Sequence, residues 1–122
     1  TKNSLSKEKW NGAIDTVGGD ILSTLLTEIC YDGIIVNTGL ARSADLNTTV
    51  YPFILRNITL AGVDCVYADY KKRVKAWKFL EENLDKSILK KIKTTRSFND
   101  LKKISSEILK GKIKGRTIIK VI

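Results

Sequence analysis

Cys30 and Cys65 are the only thiols in a chain of 122 residues that has no histidine. Two cysteines without CxxC spacing cannot close a zinc site, and the Ser-His-Asp and Cys-His catalytic sets are excluded with the histidines. Glycines could cradle a phosphate, yet Gly12, Gly18 and Gly19 do not fit GxGxxG. Asp20 heads the segment that follows, where its carboxylate would repel a pyrophosphate that a helix N-terminus should attract. Asp15 and Asp64 stand beside predicted strand ends, and a hydrogen-bonding structural role is preferred for both. The chain therefore reads as no nucleotide domain, or as one whose phosphate-binding half is missing.

The elements that must position these residues alternate in type. Ala13 to Val17 predicts a strand, and Asp20 the N-cap of a helix whose apolar face is Ile21, Leu22, Leu25, Leu26 and Ile29. Tyr31-Asp32-Gly33 ends that helix, and Ile34 to Asn37 predicts a second, doubly buried strand. A polar loop over 40–49 leads to a short helical piece from Val50 to Arg56, with Pro52 in its first turn. Ile58 to Val66 predicts a third strand. Asp69 caps a long helix over 69–84 on which Tyr70, Val74, Trp77 and Leu84 form an apolar stripe. Residues 85–91 are ambiguous, Lys93 to Phe98 predicts a strand, Asn99 caps a helix that stops at Gly111, and Arg116 to Ile122 predicts the last strand. Strands alternating with helices argue for an α/β parallel sheet.

With 43% hydrophobic residues the chain has the makings of a core. No apolar run approaches the roughly 20 residues of a membrane span. Thr1 to Lys9 is polar, without the apolar centre of a signal peptide, and two cysteines outside any disulfide framework fit a reducing, cytoplasmic setting. There is no methionine, so the expectation is a chain that begins after a removed initiator or inside a longer protein. The formal charge of +9 is uneven: residues 1–67 carry five basic and seven acidic groups (−2), and residues 68–122 carry 17 and six (+11). A basic nucleic-acid-binding module is the rival reading of that half. The plainer reading is a lysine-solvated helix surface, with Trp77 in the core and not a stacking platform.

The blocks Trp10–Gly19 (WNGAIDTVGG), Gly39-Leu40-Ala41, Thr48–Asn57 (TTVYPFILRN) and Gly62–Val66 (GVDCV), with Arg73 to Trp77 and Gly115-Arg116-Thr117, closely resemble one family. It is the NADPH-dependent acrylyl-CoA reductase and quinone oxidoreductase family, in the zinc-free branch of the medium-chain dehydrogenase/reductase superfamily. The resemblance covers nearly the whole chain but only about the last third of the family's length. It implies that 1–66 are the C-terminal half of an NADP-binding Rossmann domain, strands four to six of its sheet. It implies that 67–122 hold the final linking helix and the C-terminal part of a GroES-like catalytic domain.

The resemblance also implies the site. Leu40 follows the fifth Rossmann strand, Ile54 lies near the nicotinamide, and Cys65 stands where relatives commonly carry serine, a contact made through its backbone. Arg116 matches a basic cofactor contact on the final strand. Arg56 is read as structural. The implied cofactor is NADPH and the implied substrate an α,β-unsaturated acyl-CoA, a quinone or another enone. No catalytic residue and no metal ligand is expected in this segment, so the segment by itself should be inactive. Without a first Rossmann half, Ala13 to Val17 becomes an exposed strand edge and Ile58 to Val66 a second, and a homo-oligomer through those edges is expected.

Overall fold

A computed structural model describes residues 5–121. Its elements are β1 (Trp10–Asp15), α1 (Gly19–Glu28), β2 (Ile29–Asn37), α2 (Tyr51–Arg56), β3 (Thr59–Gly62), α3 (Tyr70–Asn83), α4 (Lys86–Ile92), β4 (Lys93–Ser97), α5 (Leu101–Leu109) and β5 (Arg116–Lys120). The chain divides into two units, one ending at Ala68 and the other beginning at Asp69.

In the first unit β1, β2 and β3 form a parallel sheet in sequential order. That is the order strands four to six require in a 3-2-1-4-5-6 sheet. Ala13 lies beside Ile35, and Ile35 beside Leu60. This row is the core face. Ile35 packs with Leu22 and Leu26 of α1, with Ile29 and with Ile58, and Phe53 of α2 flanks the cluster. The period-2 alternation of a strand then sends Ile14 and Ile34 to the opposite face. There Ile14 is 76% exposed and Ile34 44%. A parallel sheet is ordinarily covered on both faces, and among the described residues this one is covered on one.

Several boundaries depart from the sequence reading. β2 begins at Ile29, five residues before the predicted strand, because helical and strand periodicity both point Ile29 into the core, where it is fully buried. Tyr31-Asp32-Gly33 is therefore not a helix end but part of an irregularity in β2. There the register jumps from Trp10↔Ile29 to Gly12↔Ile34, and Asp32 takes φ 61°. A Cβ on Gly33 would lie 2.8 Å from the Asn11 carbonyl oxygen, so only glycine fits that close approach. β1 spans 10–15 and not 13–17. β3 stops at Gly62, since the Asp64 carboxylate accepts from the Val66 and Tyr67 amides and turns the chain. Asp20 is not the N-cap: Gly18, at φ 72°, occupies that position, and Asp20 sits in the first turn, paired with Arg42 at 2.7 Å.

The second unit contains a parallel pair, β4 and β5, with Lys93 beside Arg116 and Thr94 beside Thr117. Asp69 caps α3 through the Lys71 amide, as its position predicts. The ambiguous stretch is α4, capped by Asp85. Ser97, and not Asn99, supplies the side-chain cap, because its hydroxyl accepts from the Asn99 amide ahead of a 3-10 turn over Phe98–Asp100. Ile122, the end of the predicted last strand, lies outside the described residues. No residue of α3 is buried, and Trp77 is 69% exposed. The expectation that Trp77 is core is corrected: its stripe has no opposing face among the described residues.

Arg56 ties the core together from the end of α2. Its guanidinium donates to the carbonyls of Thr27 (2.7 Å), Ile29 (3.2 Å) and Ser6 (2.5 Å) and pairs with Glu8 at 3.1 Å. The carbonyls sit where α1 passes into β2, so one planar fork satisfies an otherwise frayed helix end. Arg56→Leu should destabilise the chain by roughly 2–4 kcal/mol, because it strands carbonyls that the surrounding residues shield from water. Arg56→Lys should recover only part of that loss. Urea unfolding followed by circular dichroism measures both.

Glu28 carries a second, pH-dependent tie. The hydrogen bond from Lys9 holds its carboxyl below the usual glutamate range, with a further bond from the Trp10 indole. A depressed value in the folded state means stabilisation that is present above the unfolded value and lost as pH falls through the folded one. The advantage of the parent chain over Glu28→Gln, measured as a urea midpoint, should be present at pH 7 and vanish on acidification.

Candidate functional site

The C-terminal ends of parallel strands are where an α/β sheet leaves a crevice, because consecutive connections depart from there. In the first unit a cleft of about 360 Å³ opens at this end, lined by Gly18, Asn37, Gly39, Leu40, Leu46 and Leu60 among others. Its floor is held by one carboxylate. Asp15, the last residue of β1, is 2% exposed and accepts from the Gly18 amide at 3.0 Å, the Val17 amide at 3.3 Å and Asn37 Nδ2 at 2.6 Å. Asn37 Nδ2 also donates to the Gly39 carbonyl at 3.0 Å. A buried carboxylate persists only if its lone pairs are engaged, and here the donors are the two turns that frame the cleft. The structural reading of Asp15 matches this geometry.

Those turns lie backbone against backbone. The amides of Ala41 and Arg42 donate to the carbonyls of Thr16 and Val17 at 3.2 and 2.9 Å. A Cβ on Gly18 would come within 2.2 Å of the Ser43 carbonyl, and one on Gly39 within 2.5 Å of the Thr16 carbonyl. Glycine is therefore required at both positions for contact between loops. Asp20 and Arg42 pair on the outer lip, so the carboxylate there is opposed by a guanidinium.

Of the four predicted site residues, the structure places Leu40 on the cleft wall, 65% exposed. Cys65 lies next to the loop that follows β2, its sulfur 3.2 Å from Thr38 Oγ1, without lining the cleft. Ile54 is 68% exposed on α2 and does not line the cleft. Arg116 opens β5 in the second unit. Asn37 was missed. Its signal was a polar residue closing an apolar strand directly before Thr38-Gly39. Among the described residues no group of three His, Cys, Asp or Glu could hold a metal ion, and no helix is long and apolar enough to cross a membrane.

Comparison with known proteins gives this geometry a context. The chain is 39% identical over 117 residues to AcuI of Escherichia coli, named as an acrylyl-CoA reductase; the match covers 96% of the chain and 36% of that protein. Over nearly its whole length the chain is similar in sequence to proteins named as acrylyl-CoA reductases. It is also 36% identical over 122 residues to YhfP of Bacillus subtilis, named as a quinone oxidoreductase, covering 99% of the chain and 37% of that relative. The crystal structure of E. coli YhdH with bound NADPH superimposes with a TM-score of 0.87 at 39% identity, over 97% of the chain and 36% of that structure. The B. subtilis YhfP structure, which has NAD bound, superimposes at 0.84 and 37% identity over 98% of the chain and 36% of that structure. The chain thus spans about a third of the length of the relatives it matches. No protein-family model matches the chain. These matches lend nothing to the nucleic-acid reading of the basic half.

Asp15→Ala should leave the Val17 and Gly18 amides and Asn37 Nδ2 without their acceptor, at a cost of roughly 2–4 kcal/mol in unfolding free energy. Asp15→Asn, which keeps one oxygen and adds an N–H facing the same donors, should be only partly better. Amide exchange at 16–19 and 38–43 should accelerate together in both variants, which hydrogen-exchange mass spectrometry reads directly.

Proposed function

We propose that this chain forms the nicotinamide side of the cofactor site in an NADPH-dependent oxidoreductase that reduces an α,β-unsaturated acyl-CoA. The observation that carries this reading is the cleft at the C-terminal ends of β1, β2 and β3, with Leu40 on its wall, in a homologue of a structure holding NADPH. In this reading residues 1–66 are the C-terminal half of the NADP-binding domain, and 67–122 lead into the catalytic domain. A quinone or enone substrate is the second reading, supported by the name of the B. subtilis relative.

The fit is good for one end of the cofactor only. A cleft of about 360 Å³ with leucines and glycines on its walls suits a flat ring, and it is at the small end of ligand pockets. No glycine-rich turn in this chain offers a pyrophosphate its amides. Bound here, NADPH supplies the hydride. The chain's own part is placement. Leu40 presents exposed aliphatic surface that flanks the ring and keeps water from it, while Ile54 and Cys65, which do not line the cleft, are contacts on the family resemblance alone. Arg116, in the second unit, has a guanidinium fork of the kind that takes a phosphate or carboxamide oxygen, and its cofactor role rests on the family resemblance alone. Asp15 and Asn37 hold the two loops at the spacing the ring needs. The strand edges β1 and β3 are the candidate contacts of a homo-oligomer.

NADPH titration followed by nicotinamide fluorescence tests the reading. The 122-residue chain alone should show no turnover and no binding at micromolar NADPH. Joined to a segment bearing a glycine-rich phosphate turn and a catalytic domain, it should bind, and Leu40→Asp should weaken that binding about tenfold. Micromolar binding by the chain alone, or an unaltered affinity in the joined Leu40→Asp protein, would overturn it.

A further inference from the structure

A second cavity lies wholly within the basic unit. It has a volume of about 140 Å³ and lies among β4, β5, α5 and the loop after α5. Thr94 and Thr117 are direct neighbours across the parallel pair. Arg96, two residues after Thr94, returns to the same face. Buried Ile104 contributes the apolar floor, and Lys112 and Lys114 come from the loop. The lining thus gathers three cations and two hydroxyls against one carboxylate, Glu107.

The loop that carries the lysines is fixed. Gly111, at φ 64°, ends α5 in a Schellman arrangement: the Lys112 amide donates to the Glu107 carbonyl at 3.0 Å and the Gly111 amide to the Ile108 carbonyl at 2.9 Å. Those bonds also engage carbonyls that would otherwise leave negative partial charge at the rim. The three ion pairs among the described residues, Lys9–Glu28, Arg42–Asp20 and Arg56–Glu8, include none of the four ionic groups around this cavity. The cations are therefore not consumed by internal pairing, and their summed field favours an anion. At about 140 Å³ the cavity has room for a phosphate group.

We propose that this cavity binds a phosphate group of a small molecule. Arg96 supplies the planar fork, Lys112 and Lys114 supply point charges, and the Thr94 and Thr117 hydroxyls donate to the remaining oxygens. The proposal uses none of the four residues of the cofactor reading, Leu40, Ile54, Cys65 and Arg116.

The test is calorimetric titration of the full 122-residue chain, with resonance assignments to locate the shifts, using two probes. Inorganic pyrophosphate and adenosine 3′,5′-bisphosphate distinguish a free phosphate from a nucleotide-borne one. Binding by either should shift the amides of 94–96 and 112–117 as a group. Arg96→Gln should weaken binding about tenfold, and Arg96→Lys by less. Glu107→Gln should tighten it about threefold, the opposite of what a structural partner of the cations would do. Unchanged affinity in a folded Arg96→Gln chain, shifts spread over the lysines at large, or binding confined to DNA or RNA would each overturn the proposal. If Arg96→Gln fails to fold, the sign of the Glu107→Gln effect decides it.

Discussion

One buried carboxylate holds the functional end of the first unit together. Asp15 terminates β1, caps the turn at Val17 and Gly18, and receives the side-chain amide of Asn37 from the end of β2. A carboxylate this sheltered is costly unless every oxygen is engaged, so it dictates where both turns must lie. The near-contact of Gly18 with Ser43 and of Gly39 with Thr16 follows from that requirement. The cleft is what remains between turns drawn together at their roots.

Much of this was legible in the residues. Asp69 as a cap, Pro52 in the first turn of α2, Gly111 as the stop of α5 and the parallel α/β pattern all rest on local chemistry, and local chemistry survives folding. What escaped was decided by tertiary packing. Ile29 lies in phase with Leu22, Leu25 and Leu26, so no periodicity can say where α1 stops. The stop comes from Arg56, twenty-seven residues further on, which takes the Ile29 carbonyl. The cap at Gly18 was hidden because Asp20 is the more familiar capping residue. The loop contact that forces a positive φ on Gly18 is not a local property.

The site was legible in part and for a different reason. Leu40 came from family resemblance, and it stands after a strand at the sheet's carboxyl edge, where the cleft opens. Ile54, Cys65 and Arg116 came from family resemblance, and the structure distributes them over α2, the loop after β3 and a separate unit. The basic half read as solvated lysine surface. What that reading could not contain was the pairing of Thr94 with Thr117, a register that exists only once β4 and β5 meet.

The half-covered sheet carries a thermodynamic signature. Ile14 stays largely and Ile34 partly in contact with water in the folded chain, so melting newly hydrates less of their apolar area than it would for buried strand residues. The heat-capacity increment of unfolding scales with newly hydrated apolar area. It should therefore fall below that of an ordinary domain of this length, leaving a stability curve that is broad and shallow.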